Sequence, residues 1–260
     1  MTDVILFDNA TIRAGYPRRE RGSDVERHFE QELEALKEQL LLMGGRSETI
    51  IKKSIAALDR RDKRLAEEIF QDDNAIDRLE IDIEERCLRL LALQQPLARD
   101  LRFITAALKI SNDLERVGDH AVNIAGSAVR LADTPMLKPL VDIPRMAAIA
   151  TGMLRESLDA FVRRDSDTAR GLCKRDDEVD NLNRQLFREL ISFMMEDPTT
   201  ITRAMDLILV ARNLERVADL ATNVAEEVVF IAEARIIKHH VEEAPTGGRP
   251  SVAEADFGRS

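Results

Sequence analysis

Twelve residues near the middle of the chain, Leu114-Glu115-Arg116-Val117-Gly118-Asp119-His120-Ala121-Val122-Asn123-Ile124-Ala125, return 100 positions later as Leu214-Glu215-Arg216-Val217-Ala218-Asp219-Leu220-Ala221-Thr222-Asn223-Val224-Ala225. Eight of the twelve are identical. A match of that length at a fixed offset marks an internal duplication, so whatever the first half builds, the second half builds again. The repeated unit is helical. The 260 residues hold only 11 Gly, 8 Pro and 4% aromatics against abundant Leu, Ala, Glu and Arg. That balance disfavours all-β and doubly wound α/β folds and favours long helices.

Helical periodicity runs from Asp24, behind Ser23 as N-cap, to about Arg60, with Gly44-Gly45 placed where they could bend it. A second stretch covers about Asp62 to Leu93 and stops at Gln94-Gln95-Pro96, and a third runs from Leu97 to about Ala132. Pro135, Pro139 and Pro144 mark a linker, because proline removes a helix donor and clashes with the preceding turn. Three more stretches follow: Ile143 to Arg164, Ser166 to Glu196, and Thr199 to Lys238. The expected architecture is all-α, with two tandem three-helix bundles and six long helices. Its segments are an arm or disordered tail over 1–22, a first repeat over 23–133, a linker over 134–142, a second repeat over 143–238, and a tail over 239–260.

The repeat carries carboxylates at helical spacing. Glu115 and Asp119 lie four apart, as do Glu215 and Asp219, so each pair projects from one helix face. Each pair shares its stripe with apolar residues (Leu97, Leu101, Ile104, Leu108, Val122 and Val129 in the first copy), which predicts a core-facing position. The preceding helices add Asp73 with Asp77, and Asp176 with Asp180, related by an offset of 103. In an antiparallel hairpin, residues at one height have numbers with a constant sum. Asp77 with Glu115 and Asp73 with Asp119 both sum to 192, and the second-half pairs both sum to 395. Each hairpin is therefore expected to gather four carboxylates at one level.

Four carboxylates at one level need a counter-charge. An oxygen-only donor set suits Mg, Mn, Fe or Ca, with Zn also accommodated, and carboxylates on facing helices can hold more than one ion. The competing reading is a salt-bridge network in which Arg102, Arg116, Arg212 or Arg216 swing in. The chain has no Glu-x-x-His pair, and His28, His120, His239 and His240 form no ligand constellation. His120 is expected at the surface or a helix end. Neither a Gly-rich phosphate loop nor a nucleophile elbow nor a catalytic triad is present, so the reading is non-enzymatic.

Thirty-eight Lys and Arg against 48 Asp and Glu give a net charge of −10, which argues against nucleic acid as a partner. No run approaches the length of a transmembrane helix, and the N-terminus does not read as a signal peptide. Cys87 and Cys173 lack ligand spacing and read as reduced thiols of a cytosolic protein.

Asp73-x-x-x-Asp77, the segment Gln94 to Arg102, the segment Asn112-Asp113-Leu114-Glu115-Arg116-Val117-Gly118-Asp119 and Met194-Met195-Glu196-Asp197-Pro198 resemble the PhoU family, the phosphate-specific transport system accessory proteins. The resemblance covers about residues 24–238, and Leu220 departs from it where the first copy has His120. It implies two three-helix bundles whose carboxylate motifs hold multinuclear metal clusters, with Asp73, Asp77, Glu115, Asp119, Asp176, Asp180, Glu215 and Asp219 as ligands to Fe, Mn, Mg or Zn. It also implies a cytoplasmic, often dimeric regulator that represses the phosphate-starvation response. Its implied partners are the ATPase of the phosphate ABC transporter, which would be the only route to the membrane, and the phosphate-sensing histidine kinase. An accessory of a different phosphate transporter, a purely structural scaffold and a metal-dependent enzyme stay open as alternatives.

Overall fold

The computed structural model describes residues 24–94, 96–173 and 175–234. The expected arm over 1–22 and tail over 239–260 lie outside them. The described chain forms α1 (Asp24–Arg60), α2 (Lys63–Gln94), α3 (Ala98–Ala132), α4 (Asp142–Arg163), α5 (Ser166–Leu172), α6 (Asp176–Glu196) and α7 (Ile201–Glu233). Helices α1, α2 and α3 pack on one another, as α4, α6 and α7 do, with α5 against α4 and α7. The two units join along α3 and α7, with α1 lying against α4. Two tandem three-helix bundles are the fold, built by duplication.

The duplication extends to the turns. Arg61 after α1 and Arg164 after α4 both sit in the left-handed region, at φ 57° and 54°, and stand 103 residues apart. The aspartate after each caps the next helix, Asp62 accepting from the Leu65 amide at 3.1 Å and Asp165 from the Thr168 amide at 3.0 Å. The Arg61 guanidinium also donates to Leu131 O at 2.7 Å and Ala132 O at 3.2 Å, tying the turn after α1 to the end of α3.

One expected helix breaks. The stretch over Ser166–Glu196 divides into α5, ending at Leu172, and α6, starting at Asp176. There the backbone tightens, with the Arg175 amide donating to Leu172 O at 2.9 Å and the Glu178 amide to Arg175 O at 3.1 Å. The break gives Asp176, Asp177 and Glu178 the first turn of a helix, where backbone amides favour negative charge, instead of a mid-helix position.

The expected bend at Gly44-Gly45 is absent, since α1 runs unbroken through both. Gly44 instead admits α4: a Cβ there would lie 2.2 Å from Leu158 Cδ1, while one at Gly45 meets nothing within 4 Å. The two glycines therefore respond oppositely to substitution. Gly45→Ala raises stability by about 0.5–1 kcal/mol through helix propensity. Gly44→Val lowers it by about 1–3 kcal/mol by overpacking against the buried Leu158. Urea unfolding midpoints at unchanged m-value check both.

Candidate metal centre

The hairpin heights are as the constant sums require. Asp73 on α2 feels the charge of Asp119 on α3, and its Oδ1 lies so near Gly118 that a Cβ there would be 2.5 Å away. Glu115 is surrounded by Asp119, Glu80, Asp77 and Asp73. In the second unit Asp219 is the carboxylate acting most strongly on Asp176, and Asp180 the one acting most strongly on Glu215. All eight motif carboxylates thus meet in two groups of four, one per hairpin.

The face that carries them is not the core. Glu115 is half-buried and Asp119 exposed, while Leu114, Val117 and Ala121, one or two positions away, fill the interior. Of the apolar residues that share the carboxylate stripes, Phe70, Leu88, Leu97 and Leu101 on the first hairpin and Phe187, Ile191 and Ile201 on the second are exposed, while Ile104 is buried and Leu108, Val122 and Val129 are partly buried against the core. Each hairpin therefore has two apolar faces, one in the core and one open around its carboxylates.

Burial, then repulsion among the acids, raises Asp73, Glu115, Asp176, Glu215 and Asp219. Asp73 is pushed up to about 6 by burial and by Asp77 and Asp119. Burial, with Asp119, Glu80, Asp77 and Asp73, pushes Glu115 up to about 7. Burial, with Asp219 and Asp180, pushes Asp176 up to about 7. Burial also raises Glu215 and Asp219, against partial relief from Arg216 at both and from Arg212 at Glu215. The salt-bridge network is not formed: among the described residues no arginine makes an ion pair with a motif carboxylate, and Arg116 reaches Asp113 instead, at 3.6 Å. Because the folded-state values are raised, the folded chain without metal binds more protons than the unfolded chain between about pH 4 and pH 7. This contribution to stability is full below that window and is lost as pH rises through it. Chelator-treated protein should therefore melt higher at about pH 5.5 than at about pH 7.5, a difference that scanning calorimetry at constant ionic strength reads directly.

Among the described residues, no three His, Cys, Asp or Glu side chains already converge closely enough to wrap one ion. The chemistry of the donors nonetheless fits a hard cation. Both sets consist of carboxylate oxygens, and Asp176 Oδ1 is buried with no hydrogen-bond partner. Gly118 leaves space beside Asp73 that a Cβ would fill, at 2.5 Å from its Oδ1. A bound ion would supply positive charge where acids are crowded.

Two neighbours of the clusters are visible only in three dimensions. Glu80 adjoins the first set, where Asn112 donates to it at 3.5 Å. Its counterpart at the offset of 103 is Asn183, whose amide donates to Glu215 Oε2 at 2.8 Å. His120 is buried rather than at the surface. It sits in the seam between α3 and α7, with Nδ1 2.9 Å from Asn213 Oδ1 and Nε2 without a partner. Asn213 Nδ2 donates to Leu209 O, which fixes the amide so that His120 Nδ1 is the donor. Cys87 and Cys173 are free, and burial pushes their thiols up to about 12 and about 11, so neither is a reactive thiolate.

A model of the PhoU domain matches residues 40–128 and again residues 143–228. The chain belongs to the PhoU family. Each matched PhoU domain holds one carboxylate group, Asp73 to Asp119 in the first and Asp176 to Asp219 in the second. The phosphate-specific transport system accessory protein PhoU homolog of Aquifex aeolicus is 46% identical over 214 residues, covering 82% of this chain and 97% of that protein. The homolog of the same name from Caulobacter vibrioides is 43% identical over 203 residues, 78% of this chain and 88% of its own. The crystal structure of PhoU from Pseudomonas aeruginosa superimposes with a TM-score of 0.77 at 37% identity, covering 80% of this chain and all of that one. That of the phosphate transport system regulatory protein PhoU from Streptococcus pneumoniae gives 0.75 at 30% identity, covering 80% and 98%. No described helix of this PhoU-family chain is long and apolar enough to cross a membrane.

Proposed function

We propose that this chain is a regulator of phosphate uptake, a cytoplasmic accessory of a phosphate-specific transporter that represses the phosphate-starvation response without itself being an enzyme. The observation that carries the reading is its similarity, over nearly the full length of the relatives, to proteins named as accessory to phosphate-specific transport. In this reading the chain is an adaptor and a homodimer. It contacts the ATPase subunit of the phosphate ABC transporter and the phosphate-sensing histidine kinase.

Supporting it is the open face of each hairpin, where exposed Leu, Ile and Phe side chains surround acids. Such a mixed face suits reversible protein contact. Ions of Fe, Mn, Mg or Zn held by Asp73, Asp77, Glu115 and Asp119, and by Asp176, Asp180, Glu215 and Asp219, would change the charge of those faces from strongly negative toward neutral. That couples metal status to docking by electrostatics alone.

The test is direct binding of the purified chain to the purified transporter ATPase and to the cytoplasmic part of the kinase, with and without metal. Saturable binding that Leu97→Asp or Phe187→Asp weakens supports the adaptor. Absence of binding to both proteins, with normal repression of phosphate-starvation genes in a strain lacking the chain, rejects it.

A further inference from the structure

We propose that the groove between α3 and α7 on the first-domain side is a binding site for a small phosphate-bearing anion. The groove has a volume of about 600 Å³, and its polar lining comprises Arg130, Arg212 and Arg216 with Asn123, Ser127 and Asn213. In a chain with ten more acidic than basic residues, none of the described residues lining this groove is acidic.

The arginines are not equivalent. Arg130 is already neutralised by Asp206 at 2.7 Å and donates to Ser127 Oγ at 2.8 Å. Arg212 and Arg216, one turn apart on α7, make no hydrogen bond or ion pair with a described residue. Glu215, which lies between them in sequence and feels the charge of both, takes its hydrogen bond from Asn183 at 2.8 Å rather than from either arginine. Two guanidinium groups one turn apart match the oxygens of a phosphate, which accept paired N–H bonds. Phe70 and Leu209 add an apolar wall to the same groove. The groove also adjoins the first carboxylate group, since Phe70 lies one turn before Asp73 and Asn123 one turn after Asp119.

The duplication supplies an internal control. At the positions 100 residues away, the counterpart face carries Glu226 for Gly126, Glu227 for Ser127, Asp113 for Asn213 and Asn112 for Arg212. Its cations are engaged, Lys109 with Glu227 at 3.0 Å and Arg116 with Asp113 at 3.6 Å. Two copies of one unit thus differ in charge at one place, and only one of them suits an anion. The site stands on this asymmetry and does not depend on the protein partners proposed above.

The experiment is equilibrium dialysis of the metal-stripped full chain, with chelator removed, against radiolabelled inorganic phosphate and, separately, ADP. Saturable binding of either is expected, weakened about tenfold or more by Arg212→Gln and by Arg216→Gln. Arg116→Gln, on the counterpart face, should change it less than about twofold, and matching melting curves establish that the variants are folded. Binding of phosphate alone identifies the free ion as ligand. Binding of ADP alone supports a nucleotide whose base rests on Phe70, and Phe70→Ala should then weaken it. No saturable binding of either up to about 10 mM, or binding that both arginine substitutions leave intact, overturns the proposal.

Discussion

Removing two carboxylates from the first group, by Glu115→Ala with Asp119→Ala, should reverse its effect on stability according to whether metal is present. In chelator near neutral pH, the parent chain holds acids that burial and mutual repulsion have raised, Asp73 to about 6 and Glu115 to about 7. Deleting Glu115 together with Asp119, whose charge acts on both Glu115 and Asp73, relieves that repulsion, so the metal-free variant should melt no lower than the parent. With a divalent ion at 100 times its dissociation constant, the parent gains about 2.7 kcal/mol per occupied site. For a chain of this size that corresponds to roughly 5–10 °C in melting temperature. The variant should lose the gain at its first group and keep it at Asp176, Asp180, Glu215 and Asp219. Gly118→Ala should act in the same direction but more weakly, because its Cβ would intrude on Asp73 without deleting a ligand. A salt-bridge scaffold behaves otherwise: there the double substitution lowers the melting temperature equally with and without metal.

The second large effect belongs to the seam between the repeats. Asp206 on α7 is 6% exposed, and Arg130 on α3 holds it at 2.7 Å. Arg130→Met keeps the apolar stem and leaves a buried carboxylate unpartnered, at a cost of about 1–3 kcal/mol. Most of that cost is the stranded charge rather than the worth of the pair, so Arg130→Met with Asp206→Leu should recover much of it. Denaturant unfolding of the two single variants and the double variant measures the coupling. If the double is as unstable as the sum of the singles, the pair does not hold the seam.

Much of the fold could be read from the one-dimensional pattern because the duplication constrained it twice. An offset of about 100 residues linked the helices, and a constant sum placed Asp77 level with Glu115 and Asp180 level with Glu215. What periodicity could not decide was which apolar stripe faces inward. Helix α3 carries one stripe through Leu114, Val117 and Ala121 and another through Leu97, Leu101 and Val122, and only packing reveals that the former is the core. Spacing brings the carboxylates together, and packing turns their helix face partly toward solvent. His120 is buried rather than at the surface for a related reason: its partner Asn213 lies 93 residues away, in a contact no local pattern encodes. The break before Asp176 had no proline to announce it, and its signal was the run Asp176-Asp177-Glu178 at a new helix start.

Metal content per chain, by elemental analysis after purification without chelator, tests the account most directly. The account predicts at least one ion on each carboxylate group, hence two or more per chain, with the first group's share lost in Glu115→Ala with Asp119→Ala. A parent chain that retains no Mg, Mn, Fe or Zn above the chelator-treated control, even after incubation with each and removal of excess, would contradict it.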